Sequence, residues 1–221
     1  SASASKAALP LVCLGNLTVG GTGKTPLCLA LANSLTKLGL RPLILSKGYG
    51  GRIYEPTLVE PELHKSSHVG DEPLMMAQEH AVLISRSRSK ALEKINELRG
   101  EFDLVLMDDG MQNPNVLPDL RLAVLDDGFG FGNARMFPSG PLRQPLDTGL
   151  AKVDALIVVK TGSETSHETL SALSVTKPRF DVQTHVEPAG DGAKVLAFCG
   201  IGRPAKFFKS LGYAGYDVQD T

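Results

Sequence analysis

The sequence has no basic excess. Its 23 Lys and Arg are matched by 24 Asp and Glu, for a formal net charge of -1. A general nucleic-acid binder carries a strong basic surplus, so no nucleic-acid partner is expected. Cysteine is scarce. Cys13, Cys28 and Cys199 lie far apart in apolar runs. Neither a metal-type pair spacing nor an even disulfide framework exists among them. They are expected to be three buried thiols in a reducing compartment. His64, His68, His80, His167 and His185 lack zinc spacing and read as surface or structural groups. No apolar run approaches the roughly 18 residues of a membrane span. The start, SASASKAALP, has no basic end followed by an apolar core, so it does not read as a secretory signal. No internal repeat is visible, apart from a short echo of Asp-Asp-Gly.

What is present suits a soluble globular chain. Of 221 residues, 42% are hydrophobic and 21% charged, enough for one large domain or one domain with part of a second. Leu11 to Gly15 is a short apolar run of the kind a buried parallel strand shows. Leu27, Ala30, Leu31, Leu35 and Leu38 then recur at helical spacing, and Gly39 supplies the stop. Further strands are expected at Pro42 to Ser46, Ala81 to Ser85, Asp103 to Gly110, Leu120 to Gly128, Asp154 to Val159 and Lys194 to Cys199. Helices are expected from Asp71, as N-cap, to about His80, from Lys90 to Leu98, and from GIGRP to Gly212. Residues 53–69 read as irregular. Strands alternating with helices predict an α/β fold with a mostly parallel sheet covered on both faces. Ligands in such sheets gather at the carboxyl ends of strands. The expected division is a leader over 1–10, a nucleotide-binding domain over 11–185, and the start of a smaller, truncated lobe over 186–221.

Between the first strand and helix lies GNLTVGGTGKTP. The phosphate-loop pattern begins with glycine, and here Thr18 stands in that position. The strand–loop–helix context nevertheless fits. Backbone N–H groups over Thr18, Val19, Gly20, Gly21, Thr22 and Gly23 would cradle an anion at a helix N-terminus. Lys24 would reach the terminal phosphates of a nucleotide, and the Thr25 hydroxyl would ligate Mg²⁺. Switch-type ATPases often carry an additional lysine just before the two glycines. Val19 occupies that place, which counts against a nucleotide switch or partitioning ATPase.

Such a loop needs a carboxylate from a neighbouring strand. LVLMDD ends in Asp108 and Asp109, and Gln112 follows. LAVLDD, ending in Asp126 and Asp127, competes, but the first is favoured because of Gln112. Asp71 and Glu72 in VGDEP can be a helix cap with a dipole-friendly acid, or a general base or metal partner. Lys47, Arg52, Arg135 and Arg143 sit in glycine-rich loops that suit an anionic acceptor. A small-molecule kinase or ligase acting on a soluble acid would use the same core.

GNLTVGGTGKTP, SKGYGG, VGDEP, DDGMQ, FGNARMFPSGPLR and FCGIGRPAKFF occur in that order. Together they resemble the tetraacyldisaccharide 4'-kinases, the lipid A kinases of Gram-negative bacteria, and the resemblance covers about residues 11 to 211. It implies a P-loop NTPase-like fold, and transfer of the ATP γ-phosphate to the 4'-hydroxyl of a tetraacyldisaccharide 1-phosphate lipid at a membrane surface. It also implies ATP and Mg²⁺ at Thr18 to Thr25, Asp71 as catalytic base with Glu72 beside it, and Asp108 and Asp109 on the metal side. Gln112, Lys47, Arg52, Asn133 and Arg143 are implied on the acceptor side. The family's location would be the cytoplasmic face of the inner membrane. This chain departs from the family pattern at Lys47, where arginine is usual, and at Asn113, where histidine is usual. The family's apolar N-terminal anchor and its histidine-rich segment beyond the GIGRP helix are not in these 221 residues, so the chain reads as soluble.

Overall fold

A computed structural model describes residues 5–113, 115–160, 177–186, 188–200 and 204–220. The strands are β1 Leu11–Gly15, β2 Pro42–Ser46, β3 Thr57–Leu58, β4 Ala81–Ile84, β5 Leu104–Asp108, β6 Leu120–Asp126, β7 Ala155–Lys160, β8 Arg179–Gln183, β9 Lys194–Leu196 and β10 Asp217–Asp220. The helices are α1 Lys24–Lys37, α2 Ser66–Val69, α3 Asp71–Met76, α4 Arg88–Glu97, α5 Leu146–Ala151 and α6 Pro204–Tyr213.

The chain forms two compact units that interleave in sequence. The first comprises the described residues of Ser1–Asn16, Gly23–Val124 and Leu150–Ala155. Its sheet runs β3-β4-β2-β5-β1-β6. All of these pairs are parallel except β3 with β4. Parallel strands are covered on both faces, so they read as near-continuous apolar runs. Leu11, Cys13, Leu14, Leu43, Ile44, Leu45, Val105 and Met107 are fully buried accordingly. Each large side chain buried this way contributes roughly 1.5–3 kcal/mol against leaving it in water. Helix α1 packs against β1, β2 and β5, and α3 against β4.

The second unit comprises the described residues of Leu17–Thr22, Leu125–Gly149 and Leu156–Thr221. In it β7 and β8 pair in parallel, as do β9 and β10, with α6 against β10.

The α/β class and the mostly parallel sheet are as expected, and β1 and β2 have the expected bounds. Several local expectations need correction. Residues 53–69 contain the edge strand β3 and the single turn α2, both too short to show a period. Helix α3 ends at Met76, short of His80. Asp71 is the first residue of α3, and the N-cap is Gly70, at φ 96° and ψ 154°. Only glycine adopts that backbone readily, so the cap had to precede the acid. The residues that α1 buries are Leu27, Cys28 and Ala32; Ala30 is exposed, and Leu38 is 77% exposed because it caps the helix. Helix α5 and strands β8 and β10 were not anticipated. In the expected leader, Ser5 bonds the backbone at Asn115 and Leu117, Lys6 pairs with Asp119 at 2.6 Å, and Ala7 and Leu9 are buried. His167 and the Ile201–Arg203 part of GIGRP lie outside the described residues.

Cys13 and Cys28 are buried, as expected, but Cys199 is only half-buried. Burial pushes the Cys13 thiol up to about 12 and raises that of Cys28 as well. The thiolate is the reactive form. Alkylation of the native protein at pH 8 should therefore label Cys199 and spare Cys13 and Cys28 until denaturant is added. Peptide mapping checks this, and early labelling of Cys13 would contradict it.

Candidate functional site

The register of the first unit sets its chemistry. Leu14 of β1 lies opposite Asp108 of β5, and Leu45 of β2 lies opposite Met107. The carboxyl ends of these strands are therefore level, and the loops that follow leave from one edge. Asp109 continues the alignment by donating its N–H to Leu14 O at 2.9 Å. It does so at φ 52°, a left-handed conformation that aspartate tolerates better than most residues. Gly15 has no room for a side chain: a Cβ there would lie 2.6 Å from Met111 Cβ. The Gln112 amide then donates to Asn16 O at 2.7 Å. The DDGMQ turn is thus latched onto the end of β1, with Asp108 and Asp109 beneath the glycine loop's helix.

Lys24 and Thr25 open α1 in the same unit. Lys24 Nζ stands 4.0 Å from Asp109 Oδ1. The Thr25 hydroxyl lies 3.5 Å from Asp108 Oδ2 and 3.4 Å from Glu72 Oε1. Lys24, Thr25, Glu72, Asp108 and Asp109 therefore form one cluster drawn from the starts of α1 and α3 and the end of β5. Burial pushes the Asp108 carboxyl up to about 6, with Asp109 and Glu72 adding to the rise while Lys24 and the Thr25 bond oppose it. Asp108 Oδ1 is buried with no hydrogen-bond partner among the described residues. An orphan buried carboxylate oxygen is costly unless a cation or donor meets it.

That observation tests the fit to a metal. Among the described residues no group of three His, Cys, Asp or Glu side chains could hold an ion alone. A hydroxyl, a carboxylate and phosphate oxygens form the oxygen-only set that suits magnesium, which keeps several waters and few protein ligands. The residues present fit Mg²⁺ on those terms.

Asp71 is exposed at the start of α3, next to Glu72. Its position depends on the loop after β2. Gly51 and Gly70 leave no space between that loop and the α2–α3 turn: a Cβ on Gly51 would lie 2.5 Å from His68 O and 2.8 Å from Gly70 N. Arg52 and Ile53 both donate their N–H groups to His68 O. Arg86 donates to Gly51 O at 2.7 Å and stacks over Tyr54. Lys47 and Arg52 themselves are exposed on this loop.

The second unit holds the other half of the glycine loop. Val19 donates its N–H to Pro141 O at 2.7 Å, so this amide turns to the 133–143 loop. Arg143 N–H reaches Leu17 O at 2.9 Å, and its Nε reaches Thr18 O at 3.2 Å. The Thr18 and Thr22 hydroxyls are buried without hydrogen-bond partners among the described residues. A Cβ on Gly20 or Gly21 would meet nothing within 4 Å, and Gly20 has φ 102°. Gly23, the N-cap of α1, is also left-handed at φ 85°. This backbone leaves the space that close approach of an anion requires. Asn133 spends its amide inside its own loop, donating to Ser139 O and accepting from Arg135 N–H. Asp126 and Asp127 are buried in this unit, where Asp126 accepts from Gly128 N–H.

One residue escaped sequence reasoning. Arg88, in SRSRSK, looks like part of a solvated charge run. It is 3% exposed at the start of α4. Its Nη1 approaches Ser46 O at 3.5 Å, and Cys13, Asp109 and Asp108 lie within its electrostatic reach. Burial lowers its affinity for its proton, and the nearby Asp109 and Asp108 oppose the loss. Only the burial of α4 separates Arg88 from its exposed neighbours, and no sequence signal marks it.

The family model for tetraacyldisaccharide-1-P 4'-kinase matches residues 2–221. A tetraacyldisaccharide 4'-kinase of a Bradyrhizobium species is 44% identical over 218 residues, covering 96% of this chain and 62% of its own length. One from Nitrobacter winogradskyi is 43% identical, covering 96% and 64% respectively. The chain thus spans 62–64% of the length of these curated relatives. Among solved structures, an "apo" form of LpxK from Aquifex aeolicus in complex with ATP matches with a TM-score of 0.74 and 26% identity, over 99% of this chain and 71% of its own. Signal recognition particle 54 kDa protein from Aeropyrum pernix, at TM-score 0.50 and 15% identity, shares the fold. The chain belongs to the tetraacyldisaccharide-1-P 4'-kinase family.

Proposed function

We propose that the full-length protein transfers the γ-phosphoryl group of ATP to the 4'-hydroxyl of a tetraacyldisaccharide 1-phosphate lipid, at the cytoplasmic face of the inner membrane. The observation that carries this reading is the cluster of Lys24, Thr25, Glu72, Asp108 and Asp109, with its orphan carboxylate oxygen on Asp108, in a chain of this family. Lys24 reaches the terminal phosphates from the first turn of α1. Thr25 and Asp108 would hold Mg²⁺, with Asp109 on the same side. When bound, the ion neutralises phosphate charge. Asp71 accepts the proton of the 4'-hydroxyl as the oxygen attacks. The new bond joins that oxygen to the γ-phosphorus. The bond to the bridging oxygen of the β-phosphate breaks, and ADP leaves with that electron pair. Such transfer is mostly positioning and charge neutralisation, so the protein needs no covalent intermediate. Lys47, Arg52 and Arg143 offer cationic groups to the acceptor's phosphate and sugar, with Gln112 and Asn133 shaping the two loops.

The test is a phosphorylation assay on the full-length protein with radiolabelled ATP and the dispersed disaccharide lipid. Label should move to the lipid. Nucleotide-dependent dimerisation without transfer would overturn the reading in favour of a switch ATPase. A second prediction isolates the metal side. Thr25→Ala should weaken ATP binding in the presence of Mg²⁺ by roughly tenfold, the scale of one bond to a charged group. Metal-free ATP binding should stay near the parent value in calorimetry. Equal losses with and without Mg²⁺ would remove Thr25 from the metal side.

A further inference from the structure

We propose that Met136 and Phe137 form a membrane-seating tip, which enters the boundary between headgroups and acyl chains of an anionic bilayer. The inference rests on the reading above that the acceptor is a lipid. Its basis is a rigid loop that exposes apolar side chains. Arg135 N–H bonds Asn133 Oδ1, and Asn133 Nδ2 bonds Ser139 O at 2.9 Å. Leu142 N–H bonds Arg135 O, Phe137 N–H bonds Leu142 O, and Gly140 N–H bonds Met136 O, all within 3.0 Å. These bonds leave the tip little backbone freedom. Leu142, in the same loop, is 1% exposed, yet Met136 is 47% and Phe137 69% exposed. An ordered loop that buries one apolar residue and holds two neighbours in water orders an apolar tip before any partner arrives. Preordering lowers the entropy cost of insertion.

Charge selects the partner. From Gly128 to Leu146 there is no acidic residue, and the segment carries Arg135 and Arg143. Asp127 and Asp147 stand just outside it. Apolar side chains beside arginine in a segment free of acids match an interface with anionic headgroups above and acyl chains below. Arg135, exposed and adjacent to Met136, would lie at the level of the lipid phosphates. A protein partner would not require this one-sided charge. The loop is also tied to the glycine loop through Val19 N–H and Pro141 O. Seating the tip would hold that strand of the nucleotide loop at a set depth relative to the bilayer surface.

The test uses the full-length protein and vesicles of phosphatidylglycerol and phosphatidylethanolamine, with no nucleotide and no disaccharide lipid. Phe137→Trp should show a blue-shifted emission on vesicle addition, and quenching by lipids brominated along the acyl chain, relative to the parent protein. These 221 residues contain no tryptophan, and the difference between the variant's emission and the parent's reports on this loop. The double variant Met136→Ser/Phe137→Ser should partition at least about tenfold less well in co-sedimentation. Arg135→Gln should weaken partitioning by a few fold, with the difference shrinking at high salt. Absence of bromolipid quenching, or unchanged partitioning of the double variant, would overturn the proposal, and would favour a protein partner for the tip. Phosphate transfer to detergent-dispersed lipid separates the two readings. The double variant should keep the parent rate there. If the tip inserts but no variant or parent transfers phosphate, the kinase reading falls and the membrane tip stands.

Discussion

Asp71→Asn in the full-length protein should lower kcat by about 100- to 10,000-fold, the range a positioned general base contributes. The KM for ATP should change little. Asparagine keeps the size and shape of the side chain and can still accept a hydrogen bond from the sugar hydroxyl. It cannot take the proton when the oxygen attacks. Lys24 pairs with Asp109, and Thr25 approaches Asp108 and Glu72 and not Asp71, so nucleotide binding should survive. Steady-state kinetics with lipid acceptor at several ATP concentrations checks both halves. Turnover within about threefold of the parent would fall outside the range a general base explains, and would remove Asp71 from that role. Glu72 would then be the next candidate, since it already approaches the Thr25 hydroxyl.

The second large effect comes from a residue with no side chain. Gly70→Ala should lower kcat about 100-fold, the loss associated with roughly an ångström of misplacement near the chemistry. Gly70 has φ 96°, where a Cβ is strained, and that Cβ would collide with Tyr49 O. Tyr49 O is a backbone atom and no side-chain torsion moves a Cβ, so neither can rotate away. The turn must shift, and Asp71 follows it directly in sequence. The sheet beneath should remain folded. Gly39→Ala is the matched control. Gly39 also has a left-handed φ, of 82°, but a Cβ there would meet nothing within 4 Å. It should cost stability of about 1 kcal/mol and leave kcat unchanged. Thermal melts and kinetics on both variants separate strain from misplacement. Equal kcat in Gly70→Ala and the parent would mean that the loop after β2 does not position Asp71.

Much of this was legible in sequence for physical reasons that act locally. Buried parallel strands need unbroken apolar runs, and β1 and β2 announced their own bounds. A glycine loop between a strand and an amphipathic helix has few alternative structures. The carboxylates at the end of β5 stood out because two charges closing an apolar run have only a strand end to occupy. Where the signal was short, the reading failed. A two-residue strand such as β3 and a one-turn helix such as α2 have no period to detect. Aspartate usually caps, so local sequence points to Asp71 as the N-cap of α3, whereas the backbone at Gly70 demands glycine.

The sequence by itself determined the α/β class, the glycine loop with Lys24 and Thr25, and the carboxylate-bearing strand end, because each depends on residues close together in the chain. Only the tertiary structure decided which groups meet. Glu72 comes to Thr25 across 47 positions and Asp108 across 83, through the level carboxyl ends of β2, β5 and β1. Arg88 is buried while Arg86 pins a loop, though they stand two residues apart in one basic run. Arg143 is tied to Thr18 across 125 positions of the chain. Burial and long-range pairing depend on how the strands stack, and no local pattern encodes that.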